Sequence, residues 1–443
     1  MKNIKLTYAC LLVVLTALWL AADTILSAPY EFFALRSSLV NYTGIIGMGV
    51  MSFAMMLAAR PVRAEPMLGG LDKMYRLHKW LGITALVTAI IHWLWTQAPK
   101  WMVGWGWIAR PVRGGPPPEQ PTALFRVFQS QRGLAESIGE WAFYAAVVLI
   151  VLALVKRFPY RYFFQTHRLL AIVYLFLVFH SLVLMKFYYW DEAIGPLMAV
   201  LMTGGTVAAF VSLFRKVGHA QQAVAQIEEI VRHTDNRVLK VAIKLQDRWP
   251  GHAAGQFAFL TFDAREGPHP FTISSPWTGD GRMFFLIKEL GDYTGTLSDT
   301  VKVGDSLWVE GPYGRFDFEC RQPRQIWVAG GIGITPFVSR MQALAAKPDG
   351  RSIDLFYSTS SPDEGFIDKV RQAAGEANVR LHVLIDAEDG RLDARRIVRE
   401  VPDWKFASVW FCGPAGFARA LREDLATRGL SRDDFHQELF AMR

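Results

Sequence analysis

The chain has 443 residues, enough for two or three domains, and 51% of them are apolar. Its net charge of +8 comes with no basic run interleaved with aromatics and no nucleic-acid motif, so nucleic-acid binding is set aside. The three cysteines, Cys10, Cys320 and Cys412, lie far apart and match neither a disulfide framework nor a metal-binding spacing.

The apolar runs are confined to the first half, where six of them approach the roughly 20 residues that a bilayer crossing requires. They are predicted at about Ile4–Leu26, Leu39–Ala59, Lys73–Trp95, Trp141–Val155 (the shortest), a fifth run FFQTHRLLAIVYLFLVFHSLVLM, and Ala193–Phe214. The first is too long for a signal peptide and no cleavage site closes it. Lys2, Lys5, Arg60, Arg63, Lys73, Arg76, Lys79, Lys156, Arg157, Arg161, Arg215 and Lys216 all fall on one side of these spans, which the positive-inside rule makes the cytoplasm. The long loop 96–140 then lies outside. Its Trp95, Trp101, Trp105 and Trp107 read as an interfacial belt. GGPPPEQP breaks any helix, and TALFRVFQSQRGLAESIGE is predicted as an amphipathic helix on the outer surface.

Two spans carry two histidines each, His78 with His92 and His167 with His180, at spacings of 14 and 13 residues. An ionisable group inside a membrane segment marks a functional site by default. At about 1.5 Å rise per residue each pair spans roughly 20 Å, too far for one ion to be shared along a helix. With the helices side by side, His78 lies level with His167 and His92 with His180, and each level offers two facing imidazoles, which suits a six-coordinate haem iron. A spacing of 14 returns to nearly the same helix face, but 13 lands about 140° away, so the second helix needs a local irregularity or presents its histidines at different azimuths.

After Gly218 the composition becomes that of a soluble α/β protein. RVLKVAIKL, GQFAFLTF, MFFLIKEL and SLWVEG, separated by Gly, Pro and Asp turns, predict a small antiparallel barrel. From Arg324 the pattern becomes strand, glycine loop, helix: QIWVAGGIGITPFVSRMQALAA, then SIDLFYSTS, VRLHVLIDA and SVWFCGP as further strands of a parallel sheet. GGIGITP follows a strand and opens a helix, where glycines admit a pyrophosphate to free N–H groups. Cys412, Gly413 and Pro414 end a later strand at the same sheet edge. HPFTISS offers hydroxyls and peptide N–H groups around an aromatic, and in LGDYTGTL Thr294 is placed to cap a short helix.

The histidine spacings, HPFTISS, IKELGDYTGTL, VEGPYG, VAGGIGITPF and FCGP, in this order, resemble the ferric reductase and NADPH oxidase superfamily. The resemblance covers nearly the whole chain. It implies a six-helix haem b membrane domain over 1–218, an FAD-binding β-barrel over 219–320 and an NAD(P)-binding domain over 321–443. It implies that His78 with His167, and His92 with His180, ligate two haems b. It implies that His269, Phe271 and Thr272 hold the flavin of FAD, with Ser274 and Ser275 nearby, and that Gly291, Asp292, Tyr293 and Thr294 contact the pyrophosphate. Pro270 and Lys288 stand in the same two motifs. The loop Gly330, Gly331, Gly333, Thr335 and Pro336, with Cys412, Gly413 and Pro414, would bind NADPH or NADH. Phe440 is the candidate for an aromatic stacked on the flavin, so Thr272, Cys412 and Phe440 are expected at the reacting centre.

Two features depart from the family pattern. Recognition of a 2′-phosphate calls for an arginine after the second strand of the nucleotide domain, and YSTSSPDEGF has hydroxyls and Glu364 there instead. No EF-hand loop is present. The expectation is a multi-pass protein of the cytoplasmic membrane with its reductase domains in the cytoplasm. It would carry electrons from NAD(P)H to an external acceptor, a ferric chelate in the first place or O2 in the second. A periplasmic redox partner and a haem anchor without turnover remain as further alternatives.

Overall fold

The structure, a computed structural model, describes residues 1–26, 31–110, 123–214 and 216–438. Phe440, the GGPPPEQP segment and Arg215 lie outside the described residues. The chain forms two compact units, one ending at Val217 and the next beginning at Gly218.

The first unit is helical: α1 (Lys2–Ala22), α2 (Phe32–Ala58), a short α3 (Ala64–Leu68), α4 (Leu71–Gly104), α5 (Ala123–Leu154), α6 (Tyr160–His167), α7 (Leu169–Leu184) and α8 (Ile194–Leu213). With α6 and α7 taken together, six helices among the described residues are long and apolar enough to cross a membrane. Their outward faces are apolar, with Val13, Val87, Val148, Val200 and Val207 exposed, as a bilayer solvent demands. α2 packs along α4 and α8, and α5 along α7. On α5 the packed stripe is Ala142, Ala146 and Ile150 against Val173. Small residues at four-residue steps let two backbones close up where no hydrophobic drive separates helix from lipid.

Two expectations are corrected here. TALFRVFQSQRGLAESIGE forms no separate surface helix, because the described part of it, from Ala123, is the first half of α5 and runs unbroken into the fourth span. Its glycines, Gly133 and Gly139, lie inside the helix, whose ladder carries them. α4 likewise continues past Trp95 to Gly104, across Pro99. The irregularity that the 13-residue spacing called for lies at Arg168, directly after His167, where α6 ends and α7 begins. The Ala171 N–H bonds the Arg168 carbonyl there at 3.0 Å, a tightened i→i+3 turn.

The second unit opens with β1 (Gln222–His233), β2 (Val238–Leu245), β3 (Phe257–Thr261), β4 (His269–Thr272), β5 (Arg282–Lys288), α9 (Asp292–Thr300) and β6 (Ser306–Tyr313). The six strands pair antiparallel in the order β4-β3-β6-β1-β2-β5. A bridge between Ile273 and Phe285 joins the two edges and closes a barrel. Its interior is apolar, with Ala225, Val241, Ile243, Leu260, Phe285 and Val309 fully buried. Then follow β7 (Arg324–Gly330), α10 (Thr335–Ala346), β8 (Ser352–Thr359), α11 (Glu364–Glu376), β9 (Arg380–Ile385), the short α12 (Asp386–Asp389) and α13 (Ala394–Glu400), β10 (Ala407–Cys412), α14 (Ala415–Thr427) and β11 (Phe435–Gln437). These strands form one parallel sheet in the order β11-β10-β7-β8-β9, with an apolar cluster on each face. The order reverses beside β7, which puts a crevice at the carboxyl ends of β7 and β10.

Candidate functional site

In the helical unit the structure brings the four histidines together in the two pairs. His78 faces His167 with ring centroids 5.8 Å apart and planes at 70°, and His92 faces His180 at 6.2 Å and 77°. Two metal–nitrogen bonds of about 2 Å plus half a ring on each side come to about 6 Å, so each pair is spaced for one metal between two imidazoles. Among the described residues no three His, Cys, Asp or Glu side chains converge on a point, and each level offers two imidazoles. That matches an ion whose remaining positions are filled by a macrocycle.

Neighbouring carbonyls fix the ring orientation. The Nδ1 of His78 lies 3.0 Å from the Ala54 carbonyl, that of His180 2.8 Å from Ala135, and that of His92 3.1 Å from Val40 and 3.0 Å from the Thr43 hydroxyl. A carbonyl only accepts, so in the neutral ring the proton sits on Nδ1 and the lone pair on Nε2, which is left for a metal. His167 differs: it stacks on Phe163 at 5.0 Å, and its buried Nδ1 has no hydrogen-bond partner among the described residues. Gly139 makes room for its histidine, whereas Gly44 packs beside His92 at a distance that a methyl group would also fit. A Cβ on Gly139 would lie 2.0 Å from the His180 Nδ1, and one on Gly44 3.5 Å from the His92 Cε1. Neither these glycines nor Thr43 was found by sequence reading; only their helical register relative to the histidines could have pointed to them.

On the barrel, His269 and Phe271 of β4 and Tyr293 of α9 come together. His269 stacks on Tyr293 at 4.4 Å and 20° and lies 6.5 Å from Phe271 at 28°, with the Glu266 carboxylate 3.4 Å from its Nε2. Burial pulls the His269 imidazole down to about 4, against the opposing charge of Asp292, so it is neutral at pH 7. Burial also pushes the Tyr293 phenol up. The Tyr293 hydroxyl is enclosed without a hydrogen-bond partner among the described residues, the kind of orphan a bound polar ligand completes. Thr294 caps α9 by reaching back, accepting from the N–H groups of Leu290 (3.0 Å) and Gly291 (3.1 Å), while Asp292 accepts from Tyr293 (2.9 Å). Pro270 and Lys288 are half-buried on β4 and β5, and Thr272 is buried. Ser274 and Ser275 serve the barrel itself. Their hydroxyls accept from the N–H groups of Leu286 and Phe284, each at 3.2 Å, along the seam that a single bridge closes.

At the crevice of the parallel sheet the two nucleotide motifs touch backbone to backbone. A Cβ on Gly333 would lie 2.1 Å from the Cys412 carbonyl oxygen, and one on Gly413 3.0 Å from Gly330 Cα. A Cβ on Gly330 would meet Pro414 Cδ at 2.8 Å. Gly331 adopts φ +55° in the turn Gly331–Ile334, and Thr335 and Pro336 then open α10, so the glycine loop leads directly into a helix N-terminus. Cys412 is buried, and burial, with the nearby Glu438 carboxylate adding to it, pushes its thiol well above its ordinary value. It therefore stands as a neutral thiol. Glu438 is a site residue that sequence reading missed. It is buried, and its Oε1 lies 2.8 Å from where a Gly314 Cβ would be.

The fold and these sites define a multi-pass membrane protein joined to a flavin- and dinucleotide-binding reductase module. Two family profiles match it, "Ferric reductase like transmembrane component" over residues 43–178 and "FAD-binding domain" over residues 224–317. These are the domains of the ferric reductase and NADPH oxidase superfamily, in the order the motifs implied. Relatives include the reductase component of propane 2-monooxygenase from Rhodococcus jostii, 26% identical over 203 residues, 42% of this chain and 55% of that protein. A flavohemoprotein of Bordetella pertussis is 32% identical over 220 residues, 43% of this chain and 53% of that protein. The chain thus spans about half the length of these curated relatives. Among solved structures, the FAD/NAD-binding domain of a nitric oxide dioxygenase from Vibrio cholerae is similar at 19% identity and a TM-score of 0.43, covering 49% of this chain and 97% of that one.

Proposed function

We propose that the protein is a transmembrane oxidoreductase that takes electrons from NAD(P)H and delivers them to a ferric chelate on the far side of the cytoplasmic membrane. The observation that carries this reading is the meeting of His78 with His167 and of His92 with His180 at two depths of one helical bundle. That bundle is on the same chain as a flavin-type barrel and a dinucleotide-type sheet. The domains would run 1–218, 219–320 and 321–443, with the last two in the cytoplasm, a sidedness that the lysines and arginines of the short loops support.

Bound at these sites, two haems b and FAD would supply the conversion of a hydride into single electrons and their passage across the bilayer. This chain's residues do the rest. His78 and His167 hold the inner position and His92 and His180 the outer, each through Nε2, with the carbonyls of Ala54, Val40 and Ala135 fixing three of the four rings. His269, Phe271 and Thr272 flank the flavin, Tyr293 and the N-terminus of α9 receive the pyrophosphate, and Phe440 is assigned to the flavin face. Gly330 to Pro336 and Cys412 to Pro414 seat the dinucleotide. The buried Cys412 thiol and Thr272 pack the reacting ends without taking up charge. His92 and His180 would hold the outer group from both sides, so an external acceptor would take its electron without binding the metal, which suits a bulky chelate.

The test is anaerobic: purified protein with FAD and NADH or NADPH, followed by haem absorbance, then challenged with air or a ferric chelate. Reoxidation much faster with the chelate supports the proposal. Faster reoxidation by air, with superoxide, makes O2 the acceptor. No haem reduction overturns the coupling of the two units.

A further inference from the structure

The carboxyl edge of the parallel sheet carries more than the glycine loop. Ser358, on β8, is paired in register with Gly330 of β7 and Leu384 of β9, so it stands level with the start of that loop. Its hydroxyl donates to Asp386 Oδ1 at 2.9 Å, Asp386 being the first residue after β9. In a sheet of this kind the adenosine ribose of a dinucleotide lies at the end of the strand beside the glycine loop, where an acidic side chain binds a 2′-hydroxyl and an arginine a 2′-phosphate.

We infer that this edge selects NADH over NADPH, with Asp386, oriented by Ser358, as the specificity-determining residue that accepts a hydrogen bond from the ribose 2′-hydroxyl. The inference rests on the dinucleotide reading of this crevice. The Ser358 proton is given to Asp386, so its oxygen is an acceptor, matched to a ribose hydroxyl and mismatched to a phosphate oxygen. Two arginines in the segments that follow β8 and β9 are held in ion pairs. Arg371 faces Asp368 at 2.7 Å and Glu364 at 3.8 Å, and Arg396 faces Asp389 at 3.4 Å. Asp363 lies 3.8 Å from His233 and caps α11 through the Phe366 N–H at 2.8 Å. A 2′-phosphate would bring close to two negative charges beside the Asp386 carboxylate. A site built to pair a hydroxyl rejects the mismatched ligand strongly, so a preference of at least about tenfold in kcat/KM is expected.

The experiment is stopped-flow flavin reduction in the full-length, FAD-loaded protein with NADH and NADPH, for the native chain and for Asp386→Asn and Asp386→Ser. Inhibition by 5′-AMP and by 2′,5′-ADP is measured alongside. The expected result is NADH preferred by about tenfold or more, 5′-AMP the better inhibitor, and a preference that shrinks by about tenfold in both variants as NADH weakens and NADPH gains. A native preference for NADPH, or a preference unchanged in both variants, overturns the assignment while leaving the reductase reading intact. Failure of both dinucleotides to reduce the bound flavin overturns the reductase reading, and this assignment with it.

Discussion

Gly139 offers the sharpest test of the membrane site. A Cβ at this position would sit 2.0 Å from the His180 Nδ1, 2.4 Å from Cε1 and 2.8 Å from Cγ, so Gly139→Ala collides with the whole edge of the ring. To regain ordinary contact at 3.4 Å the imidazole must give way by about 1.4 Å. That movement breaks the 2.8 Å bond to the Ala135 carbonyl. It is also several times the roughly 0.2 Å tolerance of a metal–ligand distance. Gly139→Ala should therefore lower haem from two per chain to one, and His180→Ala should give the same product, with the His78–His167 level retained. Gly82, on the same helix as His78 and His92, has nothing within 4 Å of its added Cβ among the described residues. Gly82→Ala should keep both haems and gain up to about 1 kcal/mol of helix stability. The assay is a pyridine haemochrome count per chain on detergent-purified protein, with size-exclusion profiles to confirm folding. A Gly139→Ala protein that keeps two haems with an unchanged reduced spectrum would refute the assignment of His180 as a ligand.

Three further outcomes are expected from the second unit. Gly333→Ala drives a Cβ against the Cys412 carbonyl at 2.1 Å, so dinucleotide-dependent flavin reduction should fall at least about a hundredfold while the FAD content, read from its absorbance, stays near one. His269, buried and pulled down to about 4 from 6.5, is neutral when folded, whereas the unfolded chain takes up a proton between those values. Stability therefore rises with pH from about 4 to 6.5 and is lost as pH falls through that window, by about 3 kcal/mol at most. Flavin-release melts against pH should show this slope in the native chain and a flatter one in His269→Asn. Asp354 is buried against Arg324 (2.9 Å), His382 (3.2 Å) and Arg380. Burial works to raise its value, but the His382 and Arg380 hydrogen bonds and the arginine charges outweigh it, so its contribution is present above the ordinary carboxylate range and lost in acid. Asp354→Ala, which leaves the half-buried Arg324 and the exposed Arg380 without their shared carboxylate, should cost about 1–3 kcal/mol in chemical denaturation at pH 7.

What the sequence disclosed depended on what carries a signature in single residue types. Six apolar runs and two matched histidine pairs are legible because lipid and ionisable groups impose long-range, costly patterns. Strand, glycine loop and helix in succession named the parallel sheet, and the spacing of 13 foretold a break that the chain places at Arg168. Less was legible where a partner is a backbone group. The carbonyls of Ala54, Val40 and Ala135 that orient the histidines belong to residues with no chemical mark. Ser274 and Ser275, expected near the flavin, also accept from the N–H groups of Leu286 and Phe284 across the β4–β5 seam. That role is invisible until the two strands are known to be neighbours. Glu438 shows the same limit, since an acid near the end of a chain gains meaning only when burial sets it beside Cys412.

The extension of α4 beyond its predicted span has a physical cause. Pro99 has no N–H for the carbonyl of Trp95, four residues before it, and a helix in a membrane cannot leave that acceptor bare. Arg36 of α2 supplies the missing donor, its Nε 3.0 Å from the Trp95 oxygen, with Nη2 reaching the Thr96 carbonyl at 3.4 Å. The helix therefore passes its proline and carries Trp101 onward, so that Trp93 packs between Trp101 (5.7 Å) and Phe143 of α5 (5.6 Å). α5 is itself brought close at Gly139, the residue whose missing side chain admits His180. Arg36 thus carries α4 past Pro99, and Gly139 of α5 admits the His180 ring. None of the three would be singled out by residue type, because each acts only through the partner that the fold brings to it.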